Sequence, residues 1–392
     1  MGSACACTTP TGAKGEALTF TRTGDATCSR SGLATTGIAN GDLVVCTGNQ
    51  PRVEPSGGVL GLRVERARTN GVPRSQEINN AAWIPQNSGV GTTLPTITAN
   101  AATAPDGTLT AERVQYSDCA PAASFSLVQS SGSVQTAAAG SIYVRGNGAS
   151  GNIGLALNAP GGVAVVSVCA YVSTSWTRCE LAGTGAAATA SLYFGCGNGV
   201  VGGMTQTGSG DVFVWGGQIE NGPYATSYIP TVASAVTRNA ETAEVALPVG
   251  VTILSAAVSF QTSAFSSSGR PTPLAFEFEA AGSNYWYIYG PSTGYPASIG
   301  FDQSAPLNAA LSSNTITAGQ LSRMAVAHVP NVSWTGILNG VSTVDTVGVI
   351  TTGRTTAAGA KVAIGSYPDF ADYQVDGIVS RICIDPDPAR CR

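Results

Sequence analysis

"DVFVWGGQIENGPYATSYIPT", residues 211–231, starts as a β-strand and then changes character. From Asp211 to Ile219 the side chains alternate, with Val212, Val214 and Gly216 on one face and Phe213, Trp215 and Gly217 on the other. Glu220-Asn221-Gly222-Pro223 breaks that period, and Tyr224 to Thr231 runs out as an extended segment carrying a proline. The stretch reads as the end of one β-rich unit and the connector to another.

The flanking sequence repeats the pattern. Between about residue 71 and 235 come "TAERVQYS", "AASFSLVQ", "GSIYVRGN", "NIGLALN", "VAVVSVCAYVS", "WTRCELAG" and "ASLYFGCG" before the quoted strand. About eight short strands, spaced by turn residues every 8–12 positions, is the count of a jelly roll. A second series follows from 236 to 392, including "LAFEFEA", "YWYIYGP" and "RMAVAHV", and "ILNGVSTV" carries the Asn339-Gly340 signature of a two-residue hairpin. Residues 1–70 form an opening β-rich segment. The expected fold is all-β: two tandem antiparallel β-sandwiches, 71–235 and 236–392, after that segment.

Composition narrows the function. The 392 residues carry a net charge of −4, which disfavours nucleic-acid binding, since that needs a basic surface to displace counterions. No apolar stretch is long and unbroken enough to span a bilayer. "MGSACACTTPTGAKGEALTF" lacks the basic-then-apolar order of a signal peptide, so the expectation is release without a leader or a leader already removed. Ten cysteines without CxxC pairs or histidine partners at ligand spacing point to disulfides rather than zinc. Cys169 and Cys179 flank the Ser173-Thr174-Ser175 turn and should pair; Cys391 can fold back on Cys383; Cys28 with Cys46 is the next candidate.

Six stretches together resemble modular phage and prophage tail or virion-associated proteins: "ALTFTRTGDAT", "QPRVEPSGGVLGLRVERARTN", "NNAAW", "TANAATAPDGTLTAERV", "SWTRCELAG" and the run from Asp211 to Glu241. The resemblance implies a carbohydrate-binding-like jelly roll followed by a concanavalin-A/laminin-G-like domain. It also implies a structural Ca2+ between the first and last jelly-roll strands, with Glu77 and Asp211 as the side chains to supply oxygens.

Catalytic chemistry finds little support. The single histidine, His328, has no GxSxG nucleophile elbow to serve. "FEFE" sets Glu277 and Glu279 on one strand face, beside Tyr285, Trp286 and Tyr287, a plausible sugar-stacking surface. A glycosidase, however, needs its two carboxyl groups on opposite sides of the scissile bond. Arg52, Glu54, Arg63, Glu65, Arg66 and Arg68 alternate in sign at strand spacing and read as structural cross-strand pairs. The expected function is a non-enzymatic structural or adhesive component of a virion, tail fibre or extracellular assembly, homo-oligomeric and presenting glycan-binding sandwiches. The alternatives are a secreted carbohydrate-binding protein and a sandwich-fold glycoside hydrolase.

Overall fold

The computed structural model describes residues 18–385 except 33, 57, 134–136, 159–163, 185–188, 200–202, 254, 263–271, 279–284, 290–297, 302–308, 311–315, 318, 330–332, 346–353 and 366–374. Its strands are antiparallel and assemble into two compact units. One comprises Ala26–Val45 and Ala67–Arg238, the other Met1–Asp25, Cys46–Arg66 and Asn239–Arg392.

The first unit is a sandwich. One sheet has five strands in the order Ala164–Tyr171, Gly151–Asn158, Thr189–Asn198, Ser124–Ser133, Ile84–Ser88. The facing sheet runs Thr177–Thr184, Ala137–Gly146, Gly210–Asn221, Arg68–Asn70, Val236–Arg238, with Ala111–Tyr116 also paired to Gly210–Asn221. Alternate residues of both sheets meet in one core that includes Val128, Ile142, Leu155, Leu192, Phe194 and Val214. The far side of the second sheet is also covered: Tyr143, Trp176, Trp215 and Tyr228 pack with Ile38 and Leu43.

The alternation from Asp211 holds only in part. Val212 and Val214 enter the inter-sheet core while Phe213 and Trp215 join the aromatic cluster on the other side. At Gly216, φ is +67°, and the pairing with Ala137–Gly146 shifts register between Ser141 and Tyr143. The extra residue of this bulge reverses the facing that follows. Gly217 therefore lies against Trp83, where a Cβ would come within 2.3 Å of the ring, and Ile219 returns to the core.

The second unit packs two seven-stranded sheets over a core that includes Phe20, Leu62, Val258, Phe260, Phe276 and Val326. Its hairpin turns at Asn339-Gly340, both at positive φ, with Leu338 opposite Val341.

The opening segment is not a domain by itself. Arg52–Ser56 and Val59–Val64 extend a sheet of the second unit, whereas 26–45 belongs to the first. Buried charge explains where 46–66 goes. Glu241, with no exposed surface, accepts hydrogen bonds from Arg22 Nη1 (2.6 Å), Arg52 Nε (2.6 Å) and Nη2 (2.5 Å), and the Glu65 amide (2.9 Å). Arg52 also binds Glu65 at 2.7 Å, and Arg63 pairs with Glu54. Asp376 accepts from the Arg66 amide at 2.7 Å and from its guanidinium.

Removing one member of such a network strands its partners in a dry interior, at a cost of about 3–5 kcal/mol. Glu241→Ala should shift the denaturant transition of this sandwich by that amount and leave the transition of the other unit in place. Unchanged unfolding of both would show that the cluster is not what joins these segments.

Candidate functional site

Three of the side chains expected to touch sugar or metal, Glu277, Glu77 and Asp211, are engaged by basic partners. Glu277 is buried on Leu274–Glu277, 3.7 Å from Lys361 Nζ, which also bonds Glu244 at 2.9 Å. Phe276 and Phe278 enter the core as the alternation requires. Glu279 lies outside the described residues. Tyr285, Trp286 and Tyr287 belong to the neighbouring strand, whose register sets Tyr285 across from Glu277 but Trp286 across from the core residue Phe276.

Glu77 and Asp211 do not fit a calcium cage. Asp211 accepts from Arg113 Nε at 2.8 Å and Nη2 at 2.5 Å, and from Asn147 at 3.2 Å. The guanidinium holds its carboxyl below the usual carboxylate range, chiefly through the hydrogen bond. Glu77 pairs with Arg74 at 3.1 Å. Among the described residues no group of three or more His, Cys, Asp or Glu side chains is placed to hold an ion.

The cysteines among the described residues are oxidised. Cys169 and Cys179 form a disulfide between the two sheets of the first unit, with Cα atoms 5.7 Å apart. Cys28, Cys46 and Cys383 are disulfide-bonded as well, while Cys391 lies outside the described residues. A further bridge, Cys119–Cys196, joins positions 77 residues apart within the sandwich core. No local spacing announces it.

A different surface stands out chemically. None of the five strands Ile84–Ser88, Ser124–Ser133, Gly151–Asn158, Ala164–Tyr171 and Thr189–Asn198 contains an Asp, Glu, Lys, Arg or His. Leu192 and Phe194 point into the core, so Tyr193 stands on the outer face, half-buried. Register aligns one row across the whole sheet: Ile84, Gln129, Tyr193, Ala156, Val166. Four strand spacings make that row about 19 Å long. Beside it, Gln86 donates to Gln129 at 2.7 Å, Asn158 lies 3.4 Å from the Tyr193 hydroxyl, and Ser131 and Ser191 share a 2.8 Å hydrogen bond. Each amide keeps further donor and acceptor capacity. At one end Met204 fills the surface, its sulfur 2.6 Å from where a Cβ on Gly154 would sit. Ala156 has no exposed surface, so the face offers a sugar chiefly the Tyr193 ring for its C–H side and the neighbouring neutral amides for its hydroxyls.

No protein-family model matches the chain, and no curated protein matches it. Among solved structures it is similar to the N-terminal CBM22-1–CBM22-2 tandem domain of Paenibacillus barcinonensis Xyn10C, at 11% identity and TM-score 0.24 over 77% of this chain and 93% of that one. It is similar to domains LG4-5 of the mouse laminin α1 chain, at 11% identity and TM-score 0.25 over 83% and 91%. The full extracellular region of zebrafish Gpr126/Adgrg6 gives 10% identity and TM-score 0.26 over 69% of this chain and 35% of that one. At such scores the fold rests on the sheets themselves.

Glu112, on Ala111–Tyr116, sits in no motif that would single it out. Its side chain is buried, and among the described residues Oε2 has no hydrogen-bond partner. Burial pushes its carboxyl up to about 8; the charge of Glu77 adds to this and a hydrogen bond from the Asn79 backbone opposes it. A carboxyl raised in the folded state binds more protons there than in the unfolded chain. Its contribution is therefore largest at low pH and is lost as pH rises from about 4.5 through 8. Melting temperature against pH should decline over that window, and Glu112→Gln should flatten the decline. An equal slope in the variant would assign the titration to another group.

Proposed function

We propose that this chain is a non-enzymatic adhesive protein that binds glycans on the outer face of the five-stranded sheet, as a component of an extracellular assembly such as a virion or fibre. One observation carries the reading: Tyr193 stands mid-row among Gln86, Gln129, Asn158 and apolar neighbours, on a sheet whose strands contain no ionisable acid or base of the Asp, Glu, Lys, Arg or His type. Sugars offer an apolar ring face and neutral hydroxyls, and this surface offers the complement of each. The disulfides support an oxidising, extracellular setting. A single shallow platform binds weakly, and an assembly with many copies converts weak sites into firm attachment.

On an array of neutral oligosaccharides the chain should bind without releasing reducing ends. Tyr193→Ala should weaken binding about tenfold, equivalent to about 1.4 kcal/mol, with its melting temperature preserved. Undiminished binding by that variant would remove the face from consideration, and released reducing ends would make the chain an enzyme.

A further inference from the structure

The strand Ala164–Tyr171 ends the five-stranded sheet, and among the described residues only Gly151–Asn158 pairs with it. An unpaired strand edge is a template for another strand, and sheets usually blunt it with charge, proline, short length or a covering segment. This sandwich uses those devices elsewhere. At the opposite edge, Ile84–Ser88 is five residues long and includes Pro85. In the facing sheet, the edge at Thr177–Thr184 is covered where it begins: Ile38 and Trp176 exchange backbone hydrogen bonds of 3.1 and 2.8 Å, and the Arg178 amide donates to Thr35 at 2.6 Å.

Among the described residues, Ala164–Tyr171 has none of these protections. It is eight residues long, without proline or charge. Val166 and Val168 are 40% and 50% exposed on the outer face. The Cys169–Cys179 bridge fastens the strand to the sheet behind it, so the edge is held extended rather than free to fray.

We infer that this edge pairs antiparallel with the same edge of a second copy, joining two five-stranded sheets into one of ten strands. A second copy fits because a wholly neutral strand can lie beside itself with no like charges opposed. It also brings Val166 and Val168 against their symmetry mates. The relation is an isologous two-fold, which closes after two subunits and leaves no second edge of this kind. Antiparallel pairing within one sheet sets the two-fold normal to the sheet, so both outer faces point the same way. Tyr193 lies on the third strand from the seam, so the two rings stand five strand spacings apart, about 24 Å. The pairing does not depend on glycan being the ligand; if the face binds glycan, the dimer offers one polymer two platforms.

Sedimentation of the whole chain without ligand, from sub-micromolar to near-millimolar concentration, should show a monomer–dimer equilibrium. Val168→Lys, which sets two like charges across the seam, should be monomeric with an unchanged melting temperature. As a measurement independent of any variant, hydrogen exchange of the wild-type chain should show amides in 164–171 protected at high concentration and losing protection on dilution. A monomer at every concentration, a dimer that survives Val168→Lys, or dimerisation with no change in protection at 164–171 would each overturn the inference.

Discussion

Glu241 has lost all contact with water, and a carboxylate so placed is tolerable only when cations and amide donors replace its hydration. Arg22, Arg52 and the Glu65 amide do this from stretches of chain far apart in sequence. The chain leaves this sandwich after Asp25, returns at Cys46, leaves again after Arg66 and returns at Asn239. The middle stretch brings Arg52, Arg63, Glu54 and Glu65, two charges of each sign, so Arg22 and Glu241 can join it without leaving a charge unbalanced only as a pair, when the first and third stretches both arrive. Apolar side chains of similar volume could be as stabilising, but they would accept many neighbours. Ionic partners accept few, and that selectivity specifies which segments close the unit.

Charge is thus spent where it organises the fold, and the five-stranded sheet shows the opposite condition. Its strands carry no charged residue: Val128, Leu155, Leu192 and Phe194 face the core, with Ser126 and Ser130 on the same side as Val128, while the outer side carries Gln129 and Tyr193 beside Val166 and Val168. The facing sheet cannot serve the same purpose, because its outer side is covered by Ile38, Leu43 and Tyr228. The open face therefore combines an aromatic ring, amides and hydroxyls with no charged group in its strands. A ligand meeting it keeps its own charges solvated or has none.

Local features of the sequence were the legible ones. The period of two, the turn residues between strands and the Asn339-Gly340 hairpin need only neighbours in the chain, and Cys169 and Cys179 lie 10 residues apart. What depends on distant partners was hidden. Nothing near Arg22 indicates that its carboxylate lies 219 residues away, so residues 1–70 read as one segment although the structure divides them. The Gly216 bulge looked like continued alternation, because glycine has no side chain to mark the face on which it falls. Tyr193 was not singled out within the strand "ASLYFGCG", because its importance comes from sheet order, which aligns it with Gln129 and Ala156. The "FEFE" and "YWYIY" runs drew attention through local alternation and nearby aromatics, and Lys361, beside Glu277, lies too far along the chain to be suspected.

Capture of a neutral sugar by an uncharged sheet face is tested most directly by the dependence of affinity on salt. Calorimetric titration of the whole chain with a neutral oligosaccharide should give the same dissociation constant at about 50 mM and about 500 mM salt, because no charge pair is present to be screened. Affinity that falls steeply across that range, or binding confined to sulfated or carboxylated glycans, would place recognition on the charged surfaces and contradict the account.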